Sequence, residues 1–128
     1  MKIVRIYLII FILIPFYAKA DFNWDKIGQN VGGSAFFVDR STIKKTNSGK
    51  IFFYLLTDYS KPNKNVLSVT TYIEGNCDRY QWRFLKDIYY NEPMGNGDVL
   101  ATINETGEWN FNVKGSIMET IMKYVCRF

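Results

Sequence analysis

The sequence predicts a small α+β domain in which an antiparallel sheet of about six strands carries one C-terminal helix. Three observations support this fold class. Short segments alternate apolar and polar residues with a period of two, which is the pattern of half-buried strands. No segment between them has a helical period, so we expect consecutive strands to pair antiparallel. Only the last segment repeats its apolar residues at helical spacing.

The composition of the 128-residue chain excludes several classes of function. With 48% hydrophobic and 22% charged residues, the chain is globular and not disordered. It contains no histidine, which excludes hydrolase triads and histidine-based zinc sites. We therefore expect no catalysis, no cofactor and no metal. Without the three basic residues among the first twenty, 13 basic residues face 12 acidic ones, which gives no reason to expect nucleic-acid binding.

The first twenty residues have the organisation of a secretory signal peptide. Two basic residues stand near the start, residues 6–17 form an apolar segment, and Ala18 and Ala20 supply the small residues before a cleavage site. The apolar segment is too short for the roughly 20 residues of a membrane-spanning helix. We expect cleavage after Ala20 and a single domain over residues 21–128. We expect this product to be exported to the periplasm or the cell surface, without a stable membrane anchor.

Export affects how Cys77 and Cys126 are interpreted. A single pair of cysteines in a chain sent to an oxidising compartment predicts one structural disulfide. The alternative is a redox-active pair, which usually has Cys-x-x-Cys spacing. In the loop-entropy model, a bridge that closes a loop of about 50 residues stabilises the fold by roughly 4 kcal/mol.

Six segments carry the strand pattern, and turn-forming residues separate them. The predicted strands cover residues 35–38, 51–56, 66–74, 80–84, 99–103 and 109–113. The predicted turns and loops cover residues 46–49, 58–63, 93–97 and 104–107.

The last segment predicts a helix from about Ile117 to about Cys126. Ser116 and Glu119 have the spacing of a capping box. We expect the apolar stripe of the helix to lie on the sheet, and the disulfide to join the helix end to the strand that contains Ile73. The helix needs this packing because isolated helices of about ten residues are marginal in water.

The acidic residues of the predicted domain are spread singly along the chain. No two of them are brought together at the separation that glycoside hydrolysis needs, so we expect them to be solvated on the surface. The residues in question are Asp25, Asp39, Asp58, Glu74, Asp78 and Asp87.

The candidate binding surface lies in the strand predicted at residues 80–84. Arg79, Gln81 and Arg83 alternate with three aromatic residues, so the two sets are expected on opposite faces. Arginine with tyrosine and tryptophan is a composition found at protein-binding hot spots. The alternative is that these aromatic residues belong to the core and the arginines are merely solvated. Aromatic residues make up 17% of the chain. For those in the domain the same two interpretations apply, namely that they form the core or that they form an exposed recognition face.

The order of residues along the domain resembles the surface-adhesin protein E family of Gram-negative bacteria. The resemblance covers about residues 24–126 and combines the paired cysteines, a Met-Gly-x-Gly turn and a Gly-Ser helix start. The residues that carry it are Trp24, Phe37-Val38-Asp39, Ser41, Ile43-Lys44, Leu56, Asp58-Tyr59, Pro62, Ser68, Asn76-Cys77, Arg83, Tyr90, Met94-Gly95-Asn96-Gly97, Trp109, Gly115-Ser116 and Val125-Cys126. Most of these look structural, since they form turns, the disulfide, a helix cap and core positions.

The resemblance implies a sheet of about six strands with a C-terminal helix, a bridge between Cys77 and Cys126, and possible homodimers. For the Haemophilus member it also implies adhesion to host matrix and serum proteins such as vitronectin, laminin and plasminogen. We therefore expect an exported, non-catalytic module that binds another protein. The alternative is a periplasmic inhibitor or accessory subunit that binds another bacterial protein through residues 59–66 or 90–98.

Overall fold

A computed structural model describes residues 22–128, so the predicted signal peptide lies outside the described residues. In this part of the chain, one antiparallel sheet of eight strands is followed by one α-helix, which confirms the α+β class. The strands are β1 Trp24–Gln29, β2 Ala35–Asp39, β3 Lys44–Lys45, β4 Lys50–Asn63, β5 Val66–Asn76, β6 Gln81–Tyr90, β7 Val99–Ile103 and β8 Asn110–Phe111. The helix α1 is Ile117–Val125, and short 3₁₀ turns lie at Arg40–Thr42 and Pro93–Gly95.

Six strands form the continuous sheet, in the order β1-β2-β4-β5-β6-β7. The two-residue strands β3 and β8 add to β4 and β6. The predicted number of about six is therefore confirmed for the main path. The long strands β4 and β5 form its centre, and β1 and β7 are its two edges.

The loop predicted at residues 58–63 is wrong, because β4 continues through it to Asn63. The chain then reverses at Lys64 and Asn65, whose φ angles of 48° and 67° suit a tight two-residue hairpin turn. Pro62 is tolerated because this tip of the hairpin is exposed and the pairing with β5 is interrupted between Asp58 and Asn63.

Two further predictions need correction. The strand expected at residues 109–113 is reduced to Asn110–Phe111, and it pairs with β6 and not with β7. Arg79 and Tyr80 lie in the turn before β6, where Tyr80 has a φ of 50°, so neither belongs to the strand. Strand β1 was not predicted. Its register with β2 shifts between Lys26 and Gly28, and this irregularity breaks the alternation of apolar residues.

The core lies between α1 and one face of the sheet, called here the helix face. It contains the buried hydrophobic residues Val38, Ile51, Phe53, Leu55, Ile73, Trp82, Ile121, Met122 and Val125. Gly75 permits the close approach of the helix, since a Cβ there would lie 2.8 Å from Ile51 Cγ2 and 2.9 Å from Met122 Cε. The opposite side of the sheet is called the open face and holds the alternate positions of β4, such as Phe52 and Tyr54.

The helix begins at the predicted Ile117 and ends at Val125, one residue before the predicted Cys126, which is its C-cap. The Ser116 hydroxyl accepts a hydrogen bond from the backbone N–H of Glu119 at 3.2 Å, which confirms the N-cap. The Glu119 carboxylate accepts in turn from the backbone N–H of Gly115 at 3.4 Å. The disulfide between Cys77 and Cys126 is present and joins the end of β5 to the end of α1, as predicted.

Candidate protein-binding surfaces

Two acidic side chains that were expected to be solvated are buried instead. Asp39 and Glu74 are only 1% and 4% exposed, so the expectation is wrong for these two. Asp39 accepts hydrogen bonds from the Ser41 backbone N–H at 2.9 Å, from the Ser41 hydroxyl at 2.6 Å and from the Asn23 backbone N–H at 3.2 Å. These bonds satisfy the carboxylate and cap the 3₁₀ turn, which makes Asp39 a structural residue.

Glu74 is the centre of an ion-pair cluster on the open face. Its carboxylate lies 2.8 Å from Arg83 Nε and 3.1 Å from Lys50 Nζ. Burial raises the pKa of Glu74, but the hydrogen bonds from Arg83 and Lys50 outweigh it and hold the pKa below its ordinary value. The Arg83 guanidinium also lies over the ring of Trp109, 4.6 Å from its centroid. Arg83 therefore has two structural partners.

The structure does not bring Arg79, Gln81 and Arg83 together as one exposed cationic face. Arg79 is exposed in the turn, where the Asn76 side chain accepts from its backbone N–H at 3.2 Å. Gln81 is half-buried and pairs with Phe111 of β8. Arg83 keeps 29% of its side chain exposed beside Glu74. Of the three, Arg79 is the most accessible to a partner.

The aromatic residues between them are also divided. Trp82 is 7% exposed and belongs to the core, whereas Tyr80 and Phe84 are 36% and 38% exposed. Tyr80 borders a shallow groove of about 480 Å³ between the turn and α1. The other residues that line it are Glu119, Thr120, Lys123 and Arg127.

The Met-Gly-x-Gly segment forms a hydrogen-bonded unit on the open face. Asp58 accepts from the backbone N–H of Met94 at 3.1 Å, and the Ser68 hydroxyl accepts from that of Gly95 at 2.9 Å. Met94, Gly95 and Gly97 all have positive φ, and a Cβ on Gly97 would collide with the Asn91 side chain. These contacts explain Asp58, Met94, Gly95 and Gly97 as residues that fix a loop against the sheet.

Trp24 and Tyr59, two aromatic residues that carry the family resemblance, lie apart from the Met-Gly-x-Gly segment. Trp24 is half-buried and stacks on Phe22, with ring centroids 4.8 Å apart. Tyr59 is 38% exposed near the hairpin tip. Burial raises the pKa of Tyr59, and the neighbouring Tyr89 and Asp87 add to the shift.

The two edges of the sheet differ in their protection. Edge strand β1 carries charged Asp25 and Lys26 and an irregular register, and the Tyr124 hydroxyl of α1 donates to Asp25 at 2.9 Å. Edge strand β7 has no charged residue, and all five of its residues are exposed. Its pairing with β6 is irregular only at Leu100. Charges, bulges and covering elements normally protect a sheet edge, so β7 is the less protected of the two.

Exposed apolar side chains also occur on β7 and on the elements next to it in the sequence. Large hydrophobic residues between β6 and the start of α1 are 38–69% exposed. They are Phe84, Val99, Leu100, Ile103, Phe111 and Val113. Val99, Leu100 and Ile103 lie together along the exposed edge strand β7, and contiguous exposed apolar patches are typical of protein interaction sites. The sequence predicted strand β7 but not its edge position, because the next segment was expected to pair with it.

Within residues 22–128, no group of three or more potential ligand side chains is placed to hold a metal ion. In the same part of the chain, no helix has the length and hydropathy needed to cross a membrane.

Comparison with known proteins gives a family and a fold. The family model described as surface-adhesin protein E matches residues 24–127, which confirms the resemblance seen in the sequence. The structure is similar to crystal form II of Haemophilus influenzae protein E, with a TM-score of 0.65 at 18% identity over 81% of this chain and 87% of that chain. The selenomethionine form of the same protein gives 0.64 at 18% identity over 81% and 85%. A crystal structure of protein E from non-typeable Haemophilus influenzae gives 0.60 at 17% identity over 85% and 80%. No curated protein sequence matches the chain.

Proposed function

Because the chain belongs to the surface-adhesin protein E family, we propose that it is an exported, non-catalytic module that binds an extended segment of another protein along strand β7. The family supports an adhesin-like role at the cell surface. The finer part of the proposal is the mode of binding. It rests on the geometry of one sheet edge.

The observation that carries the proposal is the uncharged, exposed edge of β7. Val99, Leu100 and Ile103 are 55%, 45% and 43% exposed, and no further strand covers the outer side of β7 in the described residues. An extended peptide can add to such an edge through main-chain hydrogen bonds, while alternate side chains give specificity.

The proposed partners are host matrix and serum proteins such as vitronectin, laminin and plasminogen. The binding mode requires only that the partner offers a short extended segment with apolar side chains. The same edge also suits a second copy of this chain, which would give an isologous homodimer. If so, partner and second copy compete for β7, and partner binding weakens as the protein concentration rises.

The test compares wild-type protein with Ala101→Lys, which adds a charge in the middle of β7. We expect this change to weaken binding to immobilised vitronectin, laminin or plasminogen about tenfold, since a lysine on an edge strand disfavours strand addition. Gln29→Lys, at the exposed end of edge β1, is the matched control and should leave the affinity unchanged. If wild type, Ala101→Lys and Gln29→Lys bind the immobilised partner with equal affinity, β7 is not the binding edge.

Arg79 is the second element of the proposed surface. Charge reversal by Arg79→Glu should weaken partner binding without affecting the fold, because the side chain is exposed in a turn. Arg83 is unsuitable for this test, since its replacement would leave Glu74 without its closest cation. If Arg79→Glu abolishes binding and Ala101→Lys does not, the contact lies at the turn and not at β7.

A role as a periplasmic inhibitor or accessory subunit is the second candidate. The observation that favours it is the β4–β5 hairpin, whose tip at residues 59–65 is exposed throughout. Such a tip is suited to insertion into a cleft of another protein. Residues 90–98 are less suited, because hydrogen bonds to Asp58 and Ser68 hold them on the sheet. Recovery of one periplasmic protein that is lost on shortening the tip would favour this role.

A further inference from the structure

The open face carries a continuous row of aromatic rings. Phe22 stacks on Trp24 at 4.8 Å and meets Tyr54 edge-on at 5.7 Å. Tyr54 lies 4.7 Å from Tyr72, and Tyr72 lies 6.1 Å from Phe52, measured between ring centroids. The row therefore runs from the start of β1 across β4 to β5.

Cationic side chains border this aromatic row. Strand pairing places Lys86 directly opposite Tyr72 and Lys44 directly opposite Phe52, so each pair shares the open face. Lys26 of β1 lies on the same face. It pairs with Phe37 of β2, and Phe37 pairs with Leu56, which lies on the open face of β4. Aromatic rings and ammonium groups thus occupy one continuous surface.

The open face keeps a net positive charge beside the aromatic row, because its acidic groups do not cancel its cations. Asp39 is buried and bonded to its own turn. Glu74 is buried and shared between Lys50 and Arg83, so this cluster keeps one net positive charge. Asp58 also lies on this face, where it accepts a hydrogen bond from the backbone N–H of Met94. On the strands of this face, five cations therefore accompany three carboxylates, although basic and acidic residues almost balance in the chain outside its first twenty residues.

The backbone of this face is not available to an added peptide strand. Strands β2, β4, β5 and β6 are internal and pair on both sides. A ligand must therefore be recognised by side chains. Aromatic edges carry partial positive charge, tyrosine hydroxyls donate hydrogen bonds, and ammonium groups attract anions. All three suit a ligand that is rich in oxygen and negatively charged.

We propose that the open face binds an acidic polysaccharide. Its sugar oxygens would contact the ring edges and the Tyr54 and Tyr72 hydroxyls, and its carboxylate or sulfate groups would pair with Lys26, Lys44 and Lys86. A second copy of the chain fits poorly, because face-to-face contact would place the lysines of one copy against those of the other, and like charges repel. Single-stranded nucleic acid requires free ring faces for its bases, whereas in this row Phe22 stacks on Trp24 and Phe52 stacks on Tyr72. The site is separate from β7 and does not rest on the proposed function.

The experiment measures binding of the purified protein to heparin, polygalacturonate and neutral dextran at low ionic strength. We expect saturable binding to the two acidic polysaccharides and none to dextran. The double variant Lys44→Gln with Lys86→Gln should weaken heparin binding about fivefold, as expected from the loss of two exposed ion pairs. Lys61→Gln with Lys114→Gln removes the same charge elsewhere and should leave the affinity unchanged.

A second variant tests the contribution of the tyrosine hydroxyls without altering the rings. Tyr54→Phe with Tyr72→Phe removes only the hydroxyls and should weaken polygalacturonate binding about tenfold, the effect of two lost neutral hydrogen bonds. The proposal is overturned if neither polyanion binds, or if both lysine double variants weaken binding equally. Tighter binding of an oligonucleotide of about 20 thymidines than of heparin would also overturn it and assign the face to nucleic acid.

Discussion

Glu74 illustrates how one side chain joins the two halves of the sheet. It lies on β5, between Lys50 of β4 and Arg83 of β6, and Arg83 in turn supports Trp109 beyond the sheet. Removing one member of a buried ion pair is usually destabilising, because the remaining charges lose their partner. Here both cations are partly exposed, with 44% and 29% of their side chains accessible, so water compensates part of the loss.

We expect Glu74→Gln to lower the free energy of unfolding by about 2 kcal/mol near pH 7. The pKa of Glu74 in the fold lies below its ordinary value, so its stabilisation is present above about pH 4.3 and is lost as the pH falls through the folded value. Urea unfolding of both proteins between pH 7 and pH 3 measures this. The difference should shrink at the acidic end; a constant difference would show that the charge of Glu74 is not what stabilises the fold.

Gly75 is a second single residue with a structural effect, and it lies on the helix face. Its missing side chain leaves room for Ile51 and Met122. Gly75→Ala should destabilise the fold by about 1–3 kcal/mol through overpacking. Thermal unfolding measures it, and Gly32→Ala, where the nearest atom would be 3.5 Å from the new Cβ, is the control. Equal unfolding temperatures for both variants would mean that the helix shifts without cost.

At the scale of elements, the helix was predictable and the sheet edges were not. The residues that define α1, from the Ser116 cap to the apolar stripe, are local in sequence and act locally. Strand pairing depends on partners far along the chain. For this reason the sequence predicted β7 correctly but paired residues 109–113 with it, and β8 is found against β6 instead. The proposed binding edge follows from that pairing and has no local signal.

The same contrast applies to the candidate site residues. The spacing of Arg79, Gln81 and Arg83 predicts a common face only if all three lie in one strand. The Asn76 side chain instead bonds the backbone of the turn, and the strand starts after Arg79. The burial of Glu74 depends on Lys50 in another strand, which periodicity does not reveal.

Removal of the Ser116 hydroxyl tests the helix as an element. Ser116→Ala should reduce the stability of the domain by about 1 kcal/mol, because the backbone N–H of Glu119 loses its acceptor. Chemical denaturation followed by circular dichroism provides the measurement. Thr120→Ala, on the exposed side of α1, should cause no loss. Because alanine is a better helix former than threonine, a loss of the same size in Thr120→Ala would show that the effect does not come from the cap.

At the scale of the whole molecule, the Cys77–Cys126 bridge fixes α1 to the central strands. The two residues are separated by 49 positions, and a loop of that length predicts a stabilisation of up to about 4 kcal/mol. Replacement of both cysteines by serine should therefore lower the free energy of unfolding by an amount approaching this value. Urea titration of oxidised wild type against the double variant measures it. Equal stability would show that packing alone holds the helix in place.

The whole molecule combines an antiparallel sheet, a helix fastened on one face and one less protected edge, in a protein of a surface-adhesin family. We infer from these features together that the domain acts outside the cell. Protease treatment of intact cells, compared with cells whose outer membrane has been opened by osmotic shock, tests this most directly. The account predicts that an antibody against the domain loses its signal in intact cells. Protection until the outer membrane is opened would contradict it and place the protein in the periplasm.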